Sequence, residues 1–576
     1  ASLLAAPRAV AGQFELRGVR APAGGTLSLQ LTPFQVWSDD ARVVAVGSDG
    51  VERLQPIPQT AFFRGHVDGD PASRVFLSVQ PDGSSTGLIR HPLGALHSLV
   101  TLPTAEGLTL TLTPVDADAM AAGRPPFQCR QDQLPVIPAA TAVSSSRDPL
   151  PQATPDGALF RARVAIDSDW EFRQRFASVA AATNYIGNLV GYASTIYIDQ
   201  IDTQLEVSFS RVFDTSADPY TQADSLCALY EFGKHWNDNF GSTSRTIAHL
   251  VSGKSSGGGV AWVGVLCNGA FNVNAADAGC PAGGPSGTAN WGGAYGFTGE
   301  MTGDFNPAAP TAVWDIVAFA HEVGHNFNSP HTHCYGGLGG NGSPVDACFG
   351  EESGTGCSTA PNTLPGPAGQ GSGTIMSYCH LLNPGMSNIS LTLGGVSGNP
   401  HPFGTAPLRV PSRMREHVVA RAASFPGCLA LPAASGTLSV AGPTLLPGAS
   451  GTATVQLGGT PISGAQFRLC VDGTRLSLGS ATIPGGLTGL SCTTQTAGNC
   501  PAGTTVGINC AGFSPAADWM LPQSVSVAVT AAAGAPAGAT PLAFASGAVF
   551  SDPNGNTLTP NTFSNDTPTT EIYTTW

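Results

Sequence analysis

Residues 321–331 read His-Glu-Val-Gly-His-Asn-Phe-Asn-Ser-Pro-His, which dictates a helix, its end and a chain reversal within one short segment. His321 and His325 are four residues apart, so a helix projects both imidazoles from one face, one turn apart, as two ligands of one metal must stand. Glu322 lies beside the first of them, placed to reach a metal-bound water without itself binding the ion. Asn328 stands where the helix has to stop. Gly is the usual residue there because it tolerates a left-handed conformation, and Asn is the best substitute. Ser329-Pro330 prevents the helix from continuing, and His331 returns as a third imidazole. Three neutral nitrogens with one position open to water describe a catalytic rather than a structural site for a single Zn2+.

Thr-Ile-Met-Ser-Tyr at 374–378 supplies a second element. With the first it resembles the metzincin metallopeptidases, whose motif HExxHxxGxxH is followed by a Met-turn under the zinc site. The rival reading is a helix with surface histidines and a coincidental Met. The resemblance implies His321, His325 and His331 as zinc ligands, Glu322 as general base and Met376 as the Met-turn residue. It also implies hydrolysis of peptide bonds by a zinc-activated water. The sequence departs from the pattern at Asn328, which replaces the Gly, and at Thr332, where reprolysins carry Asp. His333 is a rival third ligand, expected to face solvent or to stand behind the ligands. Tyr378 matches the Met-x-Tyr of astacins and serralysins, where the Tyr can bind zinc; the alternative is a Tyr hydrogen-bonded beneath the site. His380 has no assigned role, and His66 and His249 are expected to be surface or core groups.

At 576 residues the chain is too long for one core, and about three domains are expected. Residues 1–132 are expected to form a β-rich N-terminal domain, reading to about 125 as short alternating strands between Gly and Pro turns. The run from Phe63 to Val79, with Gly87-Leu-Ile after it, is similar to the prodomain of adamalysin/reprolysin metallopeptidases. Residues 133–158 are a Pro/Ser/Ala linker, expected to be exposed and open to proteolysis. Residues 159–430 read as an α/β catalytic domain. Strands are expected from Phe160, over Tyr197–Val212 and from Thr246, and helices over Asp169–Val190, over Ser225–Asn237 and into His321. Residues 436–576 turn to Gly/Thr/Ala-rich strands of an all-β sandwich, whose tail resembles the cohesin-like modules of secreted bacterial proteins. A Ca2+ loop at Asp552-Pro-Asn-Gly-Asn is not supported, because Phe563 stands where the bidentate Glu should be; a tight turn is expected.

A net charge of −14 and the lack of a basic run argue against a nucleic-acid partner, and no apolar stretch reaches membrane-spanning length. The chain starts Ala-Ser-Leu-Leu without Met, as after removal of a secretory signal, and its 13 cysteines suit an oxidising compartment. Eight cysteines surround the zinc motif and four lie in the C-terminal part, so each group can close internally. The reprolysin resemblance implies a bridge between Cys267 and Cys428. Cys129 is left over. A thiolate there could fill the fourth zinc position and keep a precursor silent, as in prodomains of related metzincins; a disulfide is the rival. Cleavage of the linker would then release residues 1–132. The expectation is a secreted, extracellular bacterial zinc endopeptidase made as a zymogen. It would act on proteins or peptides, and its C-terminal module would take a protein or polysaccharide ligand. The alternative is a secreted adhesion or scaffold protein whose metallo-domain is vestigial.

Overall fold

Apolar–polar alternation from Phe14 to Pro114 builds nine strands in the computed structural model. The structure describes all residues except 1–13, 23, 92–94, 105–106, 117, 119–126, 136–159, 304–311, 341, 397–398, 401–407, 426, 431–435, 460–461, 496–499, 515–518, 520, 552–556, 559–561, 565–568 and 571–576. The strands are β1 (Phe14–Arg20), β2 (Thr26–Phe34), β3 (Trp37–Val46), β4 (Glu52–Gln55), β5 (Ala61–Val67), β6 (Asp70–Val79), β7 (Ser85–Arg90), β8 (Leu96–Thr104) and β9 (Gly107–Pro114). β1, β2 and β5 to β9 close into a barrel. Alternate residues such as Leu29 and Leu31, or Val75 and Leu77, fill its interior.

β3 and β4 leave the barrel and join the sheet of the α/β region. Its strands are β10 (Gln128–Cys129), β11 (Phe160–Ser168), β12 (Thr203–Phe213), β13 (Ile247–Val251) and β14 (Gly258–Ala261). A hairpin of β15 (Phe271–Asn274) and β16 (Thr288–Gly292) follows, then β17 (Tyr295–Thr298). The sheet order is β10-β14-β17-β13-β11-β12-β3-β4, with β14 antiparallel to β17. Every residue of β12 is buried, as expected of a parallel strand covered on both faces. The main helices are α1 (Val179–Ile201), α2 (Ser225–Asn239), α3 (Ala312–Asn326) and α4 (Arg409–Ser424). Barrel, sheet and helices lie within one compact unit, residues 1–430.

The helix expected over Asp169–Val190 is two helices. Asp169 caps a single turn, Trp170–Arg173, by accepting from the Phe172 N–H, and Ser178 caps α1 by accepting from the Ala181 N–H. α1 then runs on through Tyr197 to Ile201, residues read from sequence as the start of a strand. The β-branched Ile196 and Ile198 suggested extension, but Ile186, Leu189, Val190, Ala193, Tyr197 and Ile201 keep the helical period and are buried. Asp202, at φ 50°, ends the helix in a left-handed turn, and β12 starts at the next residue.

The cysteines of this unit pair as Cys227–Cys280, Cys267–Cys428, Cys334–Cys357 and Cys348–Cys379, with Cys129 free. The Cys267–Cys428 bridge implied by the reprolysin resemblance is present and spans 161 residues. Replacing Cys267 and Cys428 together by Ser should lower stability by about 2–5 kcal/mol, because so long a loop restricts the unfolded chain strongly. Denaturant unfolding monitored by fluorescence tests this, and an unchanged midpoint counts against it.

Residues 431–576 form the second compact unit. One sheet orders Leu476–Thr482, Gln523–Ala531, Ser450–Gly459, Gly436–Ala441 and Thr562–Ser564. The other is centred on Gly464–Val471 and Val506–Phe513. Val455, Val525 and Val527 from the first sheet share a core with Phe467, Leu469 and Ile508 from the second. Cys470–Cys500 and Cys492–Cys510 tie the second sheet. Residues 552–556, the rejected calcium loop, lie outside the described residues. No helix among the described residues is long and apolar enough to cross a membrane.

Candidate metal centre

α3 carries His321 and His325 one turn apart and ends in a Schellman turn. Asn328, at φ 76°, donates its N–H to His325 O at 2.8 Å, and Ser329 donates to Gly324 O at 3.1 Å. The Asn side chain has a use that Gly lacks: Arg413 of α4 donates to Asn328 Oδ1 at 3.0 Å and to its carbonyl at 2.6 Å. Past Pro330 the chain turns back and delivers His331 to the same point. Gly324 is required inside the helix, since a Cβ there would stand 2.4 Å from Met376 Sδ, which packs beneath the site. The Met376 carbonyl accepts from the Thr332 N–H at 3.0 Å and from Thr332 Oγ1 at 3.1 Å. Thr332 thereby ties the third histidine's segment to the turn below.

The hydrogen bonds decide the tautomers. Nδ1 of His321 meets Ile375 O at 2.7 Å, and Nδ1 of His325 meets Ser329 O at 2.7 Å. A carbonyl oxygen only accepts, so both Nδ1 atoms carry the proton and both Nε2 atoms present a lone pair. Nδ1 of His331 meets the Glu352 carboxylate at 2.6 Å, and its Nε2 has no hydrogen-bond partner. Burial lowers the His325 pKa to about 3; burial and then its neighbours His325 and His331 push His321 well down. Burial thus favours the neutral form of His321 and His325. His321 Nε2 and His325 Nε2 are 3.1 Å apart, Cys129 Sγ is 3.3 Å from His325 Nε2, and one ligand atom from each of Cys129, His321, His325 and His331 lies within 4.8 Å of the others. Four donors about 2.0–2.3 Å from a tetrahedral zinc stand roughly 3.3–3.8 Å from one another, so the cluster fits one such ion.

Glu322 is fully buried beside this cluster. Its Oε2 is 3.5 Å from Cys129 Sγ, and its Oε1 has no hydrogen-bond partner. Gly259 of β14 makes room for it, since a Cβ there would come within 2.5 Å of Oε1. Burial raises the Glu322 pKa well above the usual carboxylate range, although the contact with Cys129 works the other way.

Cys129 is held by its backbone. Gln128 and Arg130 donate to the Gly257 and Gly259 carbonyls at 3.1 and 3.2 Å, making β10 a parallel partner of β14. Tyr378 accepts from the Cys129 N–H at 3.0 Å and donates to the Cys129 carbonyl at 2.6 Å. His380 donates from Nε2 to Phe127 O at 2.9 Å. The buried Phe127 ring packs against Trp314 and His321. Tyr378 and His380, one with two readings from sequence and the other with none, thus grip the same short segment, at Cys129 and at Phe127. Arg130 closes the segment with an ion pair to Asp224.

Glu352 is the residue that motif reading missed. It accepts from His331 Nδ1 and His333 Nε2, both at 2.6 Å. Burial alone would raise its pKa, but the two imidazoles outweigh that and hold it below the ordinary range. His333 is therefore fully buried behind His331 rather than facing solvent. The only sequence signal was position: Glu352 lies between Cys348 and Cys357, whose bridges to Cys379 and Cys334 fold its loop onto the centre. His249 is buried against Thr298, and His66 lies on β5 of the barrel.

Residues 160–390 match the model of a protein family described as Reprolysin_5, metallo-peptidase family M12, so this stretch is a metallopeptidase-like domain. No curated protein matches the chain. Solved structures similar to part of it include a non-cellulosomal cohesin from Archaeoglobus fulgidus, 14% identical, covering 24% of this chain and 93% of that one at a TM-score of 0.20. CaCohA2 from Clostridium acetobutylicum is 15% identical, covering 24% of this chain and 91% of its own at a TM-score of 0.21. At such TM-scores the likeness carries no argument about function.

Replacing Glu352 by Gln should weaken zinc retention by roughly 10–100-fold, the usual effect of losing a carboxylate behind a ligating histidine. Metal content after dialysis against graded chelator measures it, and retention equal to the parent chain would remove Glu352 from the centre.

Proposed function

We propose that the chain is a secreted zinc endopeptidase made as a zymogen. In this reading His321, His325 and His331 hold zinc through Nε2, Glu322 is the general base, Met376 supports the site from below and Cys129 fills the fourth position until activation. The observation that carries the reading is the convergence of three imidazole nitrogens and one sulfur on a single point. Without a cation these donors repel one another. The metallopeptidase-like match over residues 160–390 supports it.

Zinc, when bound, supplies a Lewis acid that lowers the pKa of water to about 7 and stabilises negative charge on oxygen. Glu322 accepts the proton of the attacking water and passes it to the leaving amine; the burial that raises its proton affinity suits it to hold that proton in between. The Gly257 and Gly259 carbonyls, now bound by Gln128 and Arg130, offer an extended protein or peptide substrate the same ladder once that segment leaves. Burial and then Glu322 push the Cys129 thiol up, so a cation among the imidazoles is what would make it a thiolate ligand.

Export is supported by the disulfides found in both compact units. The C-terminal sandwich is assigned the binding of a protein or polysaccharide ligand on its sequence resemblance alone. The whole reading is tested by hydrolysis of casein with zinc-loaded protein carrying Cys129→Ser. Cleavage abolished by a chelator and restored by zinc is expected. A metal-loaded sample that leaves casein intact under every processing condition would sink the reading in favour of an adhesion or scaffold role.

A further inference from the structure

The two edges of the catalytic sheet are both occupied by strands from the N-terminal 132 residues, but to very different extents. At the β14 edge stands β10, two residues long. At the β12 edge stands β3, in parallel register from Val207↔Trp37 through Phe209↔Arg42 to Phe213↔Val46, with β4 beyond it. The ladder is extended at both ends, where Val207 donates to Val36 O at 2.7 Å and Asp214 to Val46 O at 2.9 Å.

Side chains seal the β12 edge. Trp37, Val43, Val44, Val46, Phe62 and Phe76 belong to the same buried core as α1 and β12, with the Phe76 ring edge-on to Tyr192 at 5.5 Å. Arg211 of β12, 2% exposed, is shared between Asp167 at 2.9 Å and Glu52 of β4 at 2.8 Å. Arg163 pairs with Asp40, and Arg74 of the barrel pairs with Asp199 of α1, each at 2.8 Å. Taking β3 and β4 away would open this core, strip a buried guanidinium of one carboxylate and leave β12 as a long unpaired edge, a template for aggregation.

We propose that the edge of β12 is a docking surface whose partner is the chain's own N-terminal fragment, and that β3 and β4 stay in the catalytic sheet after the linker is cut. Cleavage then does not release residues 1–132. Unblocking the metal centre falls to the short segment around Phe127–Arg130, while the barrel remains as a permanent part of the enzyme. The retention is a matter of sheet and core, independent of whether the centre hydrolyses peptides.

The test inserts a site-specific protease sequence within residues 136–159 of the full-length chain and cuts it under native conditions. The N-terminal fragment should co-elute in equal amount with the remainder on size exclusion, with or without a chelator. Amides of residues 203–213 should keep the hydrogen-exchange protection of the uncut chain. Separation of the fragments overturns the proposal. So does release by chelator alone, which would place the hold at Cys129, and so does co-elution with exchange in β12 about tenfold or more faster.

Discussion

Glu322→Ala should keep stoichiometric zinc and the fold of the parent chain, yet lose about 10²–10⁴-fold in peptide hydrolysis, the contribution typical of a positioned general base. The separation of effects follows from the geometry. The converging donors are the Nε2 atoms of His321, His325 and His331, and the Glu322 carboxylate stands beside them with one oxygen unpartnered. Removing it leaves the ligand set intact, and it relieves a buried carboxylate rather than creating one, so stability should hold or rise slightly. Metal analysis, circular dichroism and a casein assay on one preparation decide it. A variant that cleaves near the parent rate, or that loses its zinc, would move the base or the ligand set elsewhere.

The second large effect is expected at Cys129. The unprocessed chain should be nearly inactive, and Cys129→Ser should raise its activity about tenfold or more, since a hydroxyl is a far weaker fourth ligand than a thiolate and frees a larger competent fraction. The gain should be incomplete. Tyr378, His380 and the Gly257–Gly259 carbonyls all bind backbone atoms of Phe127–Arg130, and a Ser at 129 leaves those bonds in place. Phe127→Ala added to Cys129→Ser should therefore increase activity further by emptying the contact with Trp314 and His321. If Cys129→Ser stays as silent as the parent while Phe127→Ala alone wakes the chain, the block is steric and the sulfur is incidental.

The reading of the C-terminal helix end of α3 illustrates what is local. Asn328 in a left-handed turn followed by Ser-Pro needs only the preference of one residue and the missing N–H of another, and the structure has the turn at that residue. The Asn328 side chain pairing with Arg413 was not legible, because the partner lies 85 residues downstream. The long helix α1 was misread for a related reason. Its last turn is rich in β-branched residues, and only burial against the sheet overrides their preference for extension.

What the sequence determined by itself is therefore the chemistry whose rules are short in range. It set two imidazoles on one helical face, a carboxylate between them, a stop and a third imidazole, whereas Met376 was implied only by the metzincin resemblance. It also set an odd cysteine that the two even groups do not need. Only the tertiary structure decided that Glu352 backs His331, that Tyr378 and His380 hold Phe127 and Cys129 by the backbone, and that β3 and β4 abandon a barrel to extend a sheet. Each of these joins groups remote along the chain; Glu352 does so through its carboxylate on an imidazole, and the other two through hydrogen bonds to main-chain atoms that every residue possesses. A pattern of residue types cannot mark such a contact; it exists because packing brings that backbone to that side chain and leaves no water to take its place.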